Sequence, residues 1–234
     1  MNLKRAKSKV LEFLGHDIGE AHPIQHLKES LPDLAIFGGM IRDLNLGAME
    51  SFRSDIDLVS TASAEEIYLQ IREYLPVRNR FGGFRFFFLG RPYDIWSLED
   101  TWAAREGYVT VSRIEDLCKT TFFTVDAAIF NVKDESFYTA DFCRRSIEDR
   151  VLDINLVQNP FPEKMALKAV DLSIRNSLKM SYELCEFVLS NKASRGCDNF
   201  YWDYLKVHVE SSPGCLFEFH RQLSLNFEGF DIGG

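Results

Sequence analysis

The feature that most constrains the fold is the stretch FGGMIRDLNLG, residues 37–47, followed by SDIDLV at 54–59. Apolar LAIF at 34–37 reads as a strand that runs into Gly38-Gly39, and MIRDLNLG reads as a short helix stopped by Gly47. IDLV then reads as the next strand. A chain written this way must turn tightly from strand to helix and return with two aspartates at strand spacing. Asp55 and Asp57 then point to one face, with Cβ atoms roughly 6 to 7 Å apart, while Ile56 and Leu58 point into a core.

The rest of the chain supplies more strands and then helices. SAEEIYLQIREYL at 63–75 is a helix with Ser63 and Glu66 spaced as a capping box. VRNR, FRFFFL and YDIWSL read as three strands, with Gly82-Gly83 and Gly90-Arg91-Pro92 as connections. TTFFTVDAAIFNV at 120–132 and SFYTA at 136–140 read as a further strand pair. After residue 155 the pattern turns helical: FPEKMALKAVDLSIRNSLKM, YELCEFVLSNK, FYWDYLKVHVE and LFEFHRQL, with SRGCDN as a break. At the other end, residues 2–15 read as an amphipathic helix, and a short helix starts at Pro23. The expected class is α+β. A mixed, largely antiparallel sheet with flanking helices occupies residues 1–150, and a helical segment occupies 151–234.

Composition narrows the function. The 234 residues are 46% hydrophobic, enough to bury a core, and no apolar run suggests a membrane span or a secretory signal. A net charge of −8 is unusual for a dedicated nucleic-acid binder, so any basic face must be local. Lys4, Arg5, Lys7 and Lys9 form the clearest basic cluster. The five cysteines include no CxxC, which suggests reduced thiols and a cytoplasmic protein. His22 and His26 read as packing or surface histidines rather than zinc ligands.

Two carboxylates on one edge repel unless a cation offsets them, and Mg²⁺ or Mn²⁺ takes oxygen ligands of this kind together with phosphate. A third acid on a neighbouring strand completes such a site. Asp94 in YDIW is the first candidate and Asp126 in TVDAAIF the second. Gly38 and Gly39 leave room for a triphosphate near the amides that open the following helix. Arg42, one turn on, offers a guanidinium to the same phosphates, and Asp43 orients Arg42 or caps a local amide. Arg85, Arg91 and Lys119 are candidate border cations. Trp96, Trp102, Phe122 and Tyr93 have the chemistry to stack a base, but they read first as core aromatics. GxGxxG and GxxxxGK[ST] are both missing, so this is neither a dinucleotide fingerprint nor a P-loop.

The combination resembles the GG-x-V-R-D-x-x-L-G and D-x-D pattern of the polymerase-beta-like nucleotidyltransferases, and within them the head domain of class II tRNA CCA-adding enzymes and bacterial poly(A) polymerases. The resemblance runs from about residue 33 to 180 and is strongest over 37–59. It implies a nucleotidyltransferase head followed by a helical neck. It implies Asp55, Asp57 and Asp94 as catalytic metal ligands for Mg²⁺ or Mn²⁺. It implies Gly38, Gly39, Arg42 and Asp43 as nucleotide-binding residues. The partners implied are a nucleoside triphosphate, ATP by base rate, and an RNA 3′ end or another hydroxyl acceptor, a protein among them. FTVDAAIF at 123–130 is similar to the family's F-T-x-N-A, and PEKMALKAVDLSIR to its neck helix. Before FTVDAAIF, however, the chain reads Thr120-Thr121-Phe122 where the family writes Arg-Arg-Asp, and no E-D-x-x-R follows the neck. Three readings therefore stay open: a nucleotidyltransferase, a nucleotide-binding or scaffold protein without turnover, and a protein-modifying transferase of a toxin-antitoxin or defence pair.

Overall fold

The computed structural model describes residues 7–12, 22–47 and 55–191, together with residues 203, 206, 207, 210 and 216. Lys4 and Arg5 of the basic cluster, the ends of the 2–15 helix, the SRGCDN break and most of the last two expected helices lie outside the described residues. The chain divides into two compact units, one of residues 1–121 and 126–143, the other of residues 122–125 and 144–234.

The first unit is built on a seven-stranded sheet. Its described elements begin with helix α1, seen over residues 7–12, and α2 (Pro23–Ser30). They continue through β1 (Ala35–Phe37), α3 (Gly39–Leu46), β2 (Ile56–Ser60) and α4 (Ala64–Ile71). Then come β3 (Val77–Arg78), β4 (Phe84–Phe88), β5 (Arg91–Ser97), the one-turn α5 (Trp102–Arg105), β6 (Ala128–Asn131) and β7 (Ser136–Thr139). The spatial order is β3-β4-β5-β2-β1-β6-β7. Only β2 and β5 are parallel among these neighbours, so the sheet is mixed and mostly antiparallel, as the sequence predicts.

Alternation divides the sheet into two faces. Ile56, Leu58, Tyr93, Ile95, Phe84 and Phe86 are buried on one of them. On this face Tyr68 and Tyr74 lie against Phe84 and Phe86, and Phe86 stacks on Tyr93 with centroids 5.2 Å apart. Asp57, Asp94 and Arg85 occupy the opposite face, with Val77 and Phe87 exposed beside them. Ser63 and Glu66 form the expected capping box at the start of α4. His22 caps α2 through its Nδ1, which accepts from the Ile24 amide, and its Nε2 lies 3.2 Å from the Tyr93 hydroxyl. That is the packing role read for it rather than a metal role.

Two strand readings need correction. Residues 120–132 do not form one strand. Thr124–Asp126 is a 3-10 turn, and regular pairing starts only at Ala128. The reason is that this segment bonds elsewhere: the Thr124 amide donates to the Asp153 carbonyl, and the Asn155 amide donates to Phe122. The connection read at Gly90-Arg91-Pro92 is instead the pair Leu89-Gly90, both at positive φ, while Arg91 and Pro92 belong to β5.

Helix α6 (Asp141–Glu148) leads along the chain into the second unit. There β8 (Val151–Leu152) pairs in parallel with β9 (Lys179–Met180), and α7 (Pro162–Asn176) and α8 (Tyr182–Ser190) follow the helical reading, except that SLKM, read as the end of the first helix, leaves it at left-handed Ser177 and supplies β9. Cys118, Cys143 and Cys185 are buried thiols, and burial pushes each of them up to about 12. No helix among the described residues is long and apolar enough to cross a membrane.

Candidate active site

The site begins at the turn between β1 and α3. Gly38 stands at φ 70°, ψ −139°, a conformation that only glycine adopts readily. It is the N-cap of α3, and as a glycine it brings no side chain of its own to cap the first turn. Gly38 and Gly39 are both partly exposed. A Cβ on Gly38 would lie 2.7 Å from Asp57 Oδ2, so the turn rests directly against a carboxylate.

The acids come together through strand pairing. In the parallel β2–β5 pair, Asp57 and Asp94 are direct partners. Asp55, immediately before β2, has the same parity as Asp57. One carboxylate oxygen from each of Asp55, Asp57 and Asp94 lies within 4.8 Å of the others. Asp94 is buried, whereas Asp55 and Asp57 are partly exposed. Burial pushes the Asp94 carboxyl upward, and the Asp55 charge adds to that. The Arg85 guanidinium pulls in the other direction without cancelling it.

Arg85 is the main addition to the sequence reading, which gave it only a border position. It lies opposite Asp94 on β4. Its Nε donates to Asp94 Oδ1 at 2.8 Å, and its Nη2 donates to Asp94 Oδ2 and, at 2.7 Å, to Asp55 Oδ2. One guanidinium thus joins two of the three acids. Its hydrogen bonds to Asp94, working against partial burial, hold Arg85 above the usual arginine range.

Arg42, expected near the phosphates, is held between two acids. It is buried, and its guanidinium donates to Asp43 at 2.9 Å and to Asp126 at 3.1 Å. Burial opposes its charge, but the Asp126 and Asp43 carboxylates outweigh that and raise its pKa. Asp43 therefore does orient Arg42. Asp126, the second candidate for third acid, is Arg42's partner and stands outside the cluster of Asp55, Asp57 and Asp94.

The other candidates disperse. Lys119 donates to Asp116 at 2.6 Å, as part of a local cap. Tyr93 is buried on the helix-covered face, and Trp102 packs on Tyr108. Phe122 packs on Phe123 and Phe187 within the second unit. Trp96 shares the acid face, meets Phe37 edge-on with centroids 6.0 Å apart, and lies so close over Gly83 that a Cβ there would be 2.1 Å from its Nε1.

The acid cluster can hold a hard divalent cation. Its donors are all carboxylate oxygens, the set such ions take. The three acids share one edge, and Arg85 pairs with two of them.

No protein-family model matches the sequence, and no curated protein matches it. Solved structures do match. A CCA-adding enzyme in complex with CTP superposes with a TM-score of 0.57 at 18% identity, over 81% of this chain and 46% of that one. The Thermotoga maritima CCA-adding enzyme complexed with tRNA gives 0.56 at 16% identity, over 82% and 45%. The Bacillus stearothermophilus CCA-adding enzyme in complex with CTP gives 0.54 at 21% identity, over 72% and 42%. This chain spans less than half the length of each of these three structures. Over the portion that it matches, the chain has the fold of the CCA-adding enzymes.

Proposed function

We propose that this protein is a metal-dependent nucleotidyltransferase, moving a nucleoside monophosphate from a nucleoside triphosphate to a hydroxyl acceptor. The observation that carries the reading is the pairing of Asp57 with Asp94 across parallel strands, with Asp55 beside them and the Gly38 turn against Asp57. In the reaction the acceptor oxygen bonds the α-phosphorus, the bond from that phosphorus to the bridging oxygen breaks, the hydroxyl proton is released and pyrophosphate leaves. Asp55, Asp57 and Asp94 would hold Mg²⁺ or Mn²⁺, which supplies Lewis-acid stabilisation of phosphate charge and a more acidic acceptor hydroxyl. Gly38 and Gly39 let the triphosphate approach the opening amides of α3, which donate to its oxygens. Arg42, fixed by Asp43 and Asp126, steadies that helix and adds positive charge near the phosphates.

Residues 1–150 form the transferase head in this reading, and residues 151–234 a helical neck-like domain. The donor is a nucleoside triphosphate, ATP first by base rate, and the solved enzymes of this fold include complexes with ATP and with CTP. The acceptor is an RNA 3′ end, in keeping with the Thermotoga enzyme's complex with tRNA, and a protein hydroxyl is the other acceptor to test. The odd count of five cysteines favours reduced thiols and with them the cytoplasm.

Two observations favour a second reading, a nucleotide-binding protein without turnover. Arg85 already engages two of the three acids, and Thr120 and Thr121, standing where the resembled family has two arginines, donate their hydroxyls to the carbonyls of Leu117 and Cys118. Incubation with each α-labelled nucleoside triphosphate, Mg²⁺ or Mn²⁺ and total RNA or lysate separates the two. Transfer of label that disappears in Asp57→Asn supports the enzyme, and nucleotide binding without any transfer supports the second reading. Transfer that survives Asp57→Asn removes the proposed site.

A further inference from the structure

We propose that Arg85 is a displaceable counter-ion of the acid cluster, competing with the divalent cation for Asp55 and Asp94 until the nucleotide's phosphates draw the guanidinium away. The inference rests on the metal site of the proposed function and adds a rule for loading it: cation and nucleotide bind cooperatively because Arg85 stands between them.

The geometry supports competition. Both oxygens of Asp94 and one oxygen of Asp55 accept hydrogen bonds from Arg85. The carboxylate that would anchor a cation most deeply, with 7% of its side chain exposed, is thus already chelated. A second cation must share those oxygens with the positive guanidinium a few ångströms away, and like charges repel.

The surroundings support displacement. The Arg85 side chain is 42% exposed, whereas that of Arg42 is 10% exposed between two acids. Around Arg85 on the same face, Val77 and Phe87 are 69% and 61% exposed. The guanidinium therefore has open space beside its present position and a long stem on which to move. Phosphate oxygens offer it the same bidentate geometry that Asp94 does. By linkage, a nucleotide that removes the competitor tightens cation binding, and the cation tightens nucleotide binding by the same factor.

The test is Mn²⁺ binding to the full chain, followed by the electron-spin resonance of free Mn²⁺, with and without a non-hydrolysable ATP analogue. Wild type should bind Mn²⁺ weakly alone and about tenfold more tightly with the analogue. Arg85→Gln should bind Mn²⁺ about tenfold more tightly than wild type without nucleotide and gain little from the analogue. Asp57→Asn should abolish the site in either background. An Arg85→Gln affinity equal to or weaker than that of wild type overturns the counter-ion role while leaving the metal site standing. No Asp57-dependent binding in either chain overturns the site itself. Melting in EDTA gives a second readout. Arg85→Gln should melt below wild type and recover with Mn²⁺, and an unchanged melting temperature overturns the proposal. If the glutamine variant does not fold, Arg85→Lys keeps the charge without the fork and should fall between the two affinities. A value at or below wild type overturns the proposal.

Discussion

Gly38 and Asp57 are placed so that a methyl group on the glycine would sit 2.7 Å from Asp57 Oδ2. The turn and the acid cluster are therefore a single packed unit. The backbone that would receive phosphate and a carboxylate that would receive a cation touch each other, and neither can be altered without moving the other.

Gly38→Ala tests this coupling. The new side chain must adopt φ near 70° and must also push Asp57 aside. Strain at such a position costs on the order of 1–3 kcal/mol. The expected result is a lower melting temperature together with loss of Asp57-dependent Mn²⁺ binding. A variant that melts like wild type and keeps its Mn²⁺ affinity would show that the turn and the carboxylate are independent.

Asp94→Asn separates chemistry from folding. Asparagine keeps one acceptor oxygen for Arg85 and loses the other, while Asp55 still engages the guanidinium, so the variant should fold with a modest loss of stability. The circular dichroism spectrum should stay native. Pyrophosphate release from a nucleoside triphosphate should fall by about a hundredfold or more, the scale for removing one oriented electrostatic group. Release within a few-fold of wild type would exclude Asp94 from the reaction.

Asp116 gives a pH signature of its own. Its carboxylate accepts from Lys119 and from the Ser112 and Arg113 amides, and these bonds, Lys119 foremost, hold it well below the usual carboxylate range. A depressed folded pKa contributes stability that is complete above the unfolded value of about 3.9 and is lost as the pH falls through the folded value. Lys119 is largely exposed, so the ion pair itself adds little. Asp116→Asn should cost about 1 kcal/mol at neutral pH, measured by urea denaturation. The gap from wild type should hold down to about pH 5 and close only below about pH 4. A gap that closes near neutrality would contradict the assignment.

The strand, glycine turn, helix and DxD were legible because each depends on residues close together in the sequence. An apolar triplet ends at a glycine pair, Gly47 closes the helix in the left-handed conformation, and alternation puts Asp55 and Asp57 on one face. Asp94 was legible as a polar residue in an apolar strand. Arg85 was not, because its partner depends on a register set by the hairpin tip. Reading Gly90-Arg91-Pro92 as the turn hides the pairing. Reading Leu89-Gly90 as a two-residue turn puts Phe88 opposite Arg91 and therefore Arg85 opposite Asp94. That signal was present in the sequence. The Arg42–Asp126 bond had no such local signal, since its partners are 84 residues apart and meet only through the order of β1 and β6 in the sheet. Strands β8 and β9 are two residues each, too short for any periodicity to register.

The Arg42–Asp126 bond decides what Arg42 does. Both side chains are about nine-tenths buried, at 10% and 11% exposure, so removing one leaves a buried charge with reduced compensation. Breaking a buried pair from one side costs roughly 3 kcal/mol or more, and the remaining bond to Asp43 moderates that. Asp126→Ala should therefore destabilise the chain by about 2–3 kcal/mol in urea denaturation, and Asp126→Asn, which keeps an acceptor oxygen, by clearly less. If Arg42 acts mainly by steadying α3, the asparagine variant should keep its affinity for an ATP analogue in Mn²⁺. If Arg42 is primarily a phosphate ligand restrained by Asp126, the same variant should bind the analogue more tightly, because the guanidinium has lost an anionic competitor. Binding measured beside stability in that one variant distinguishes the two roles.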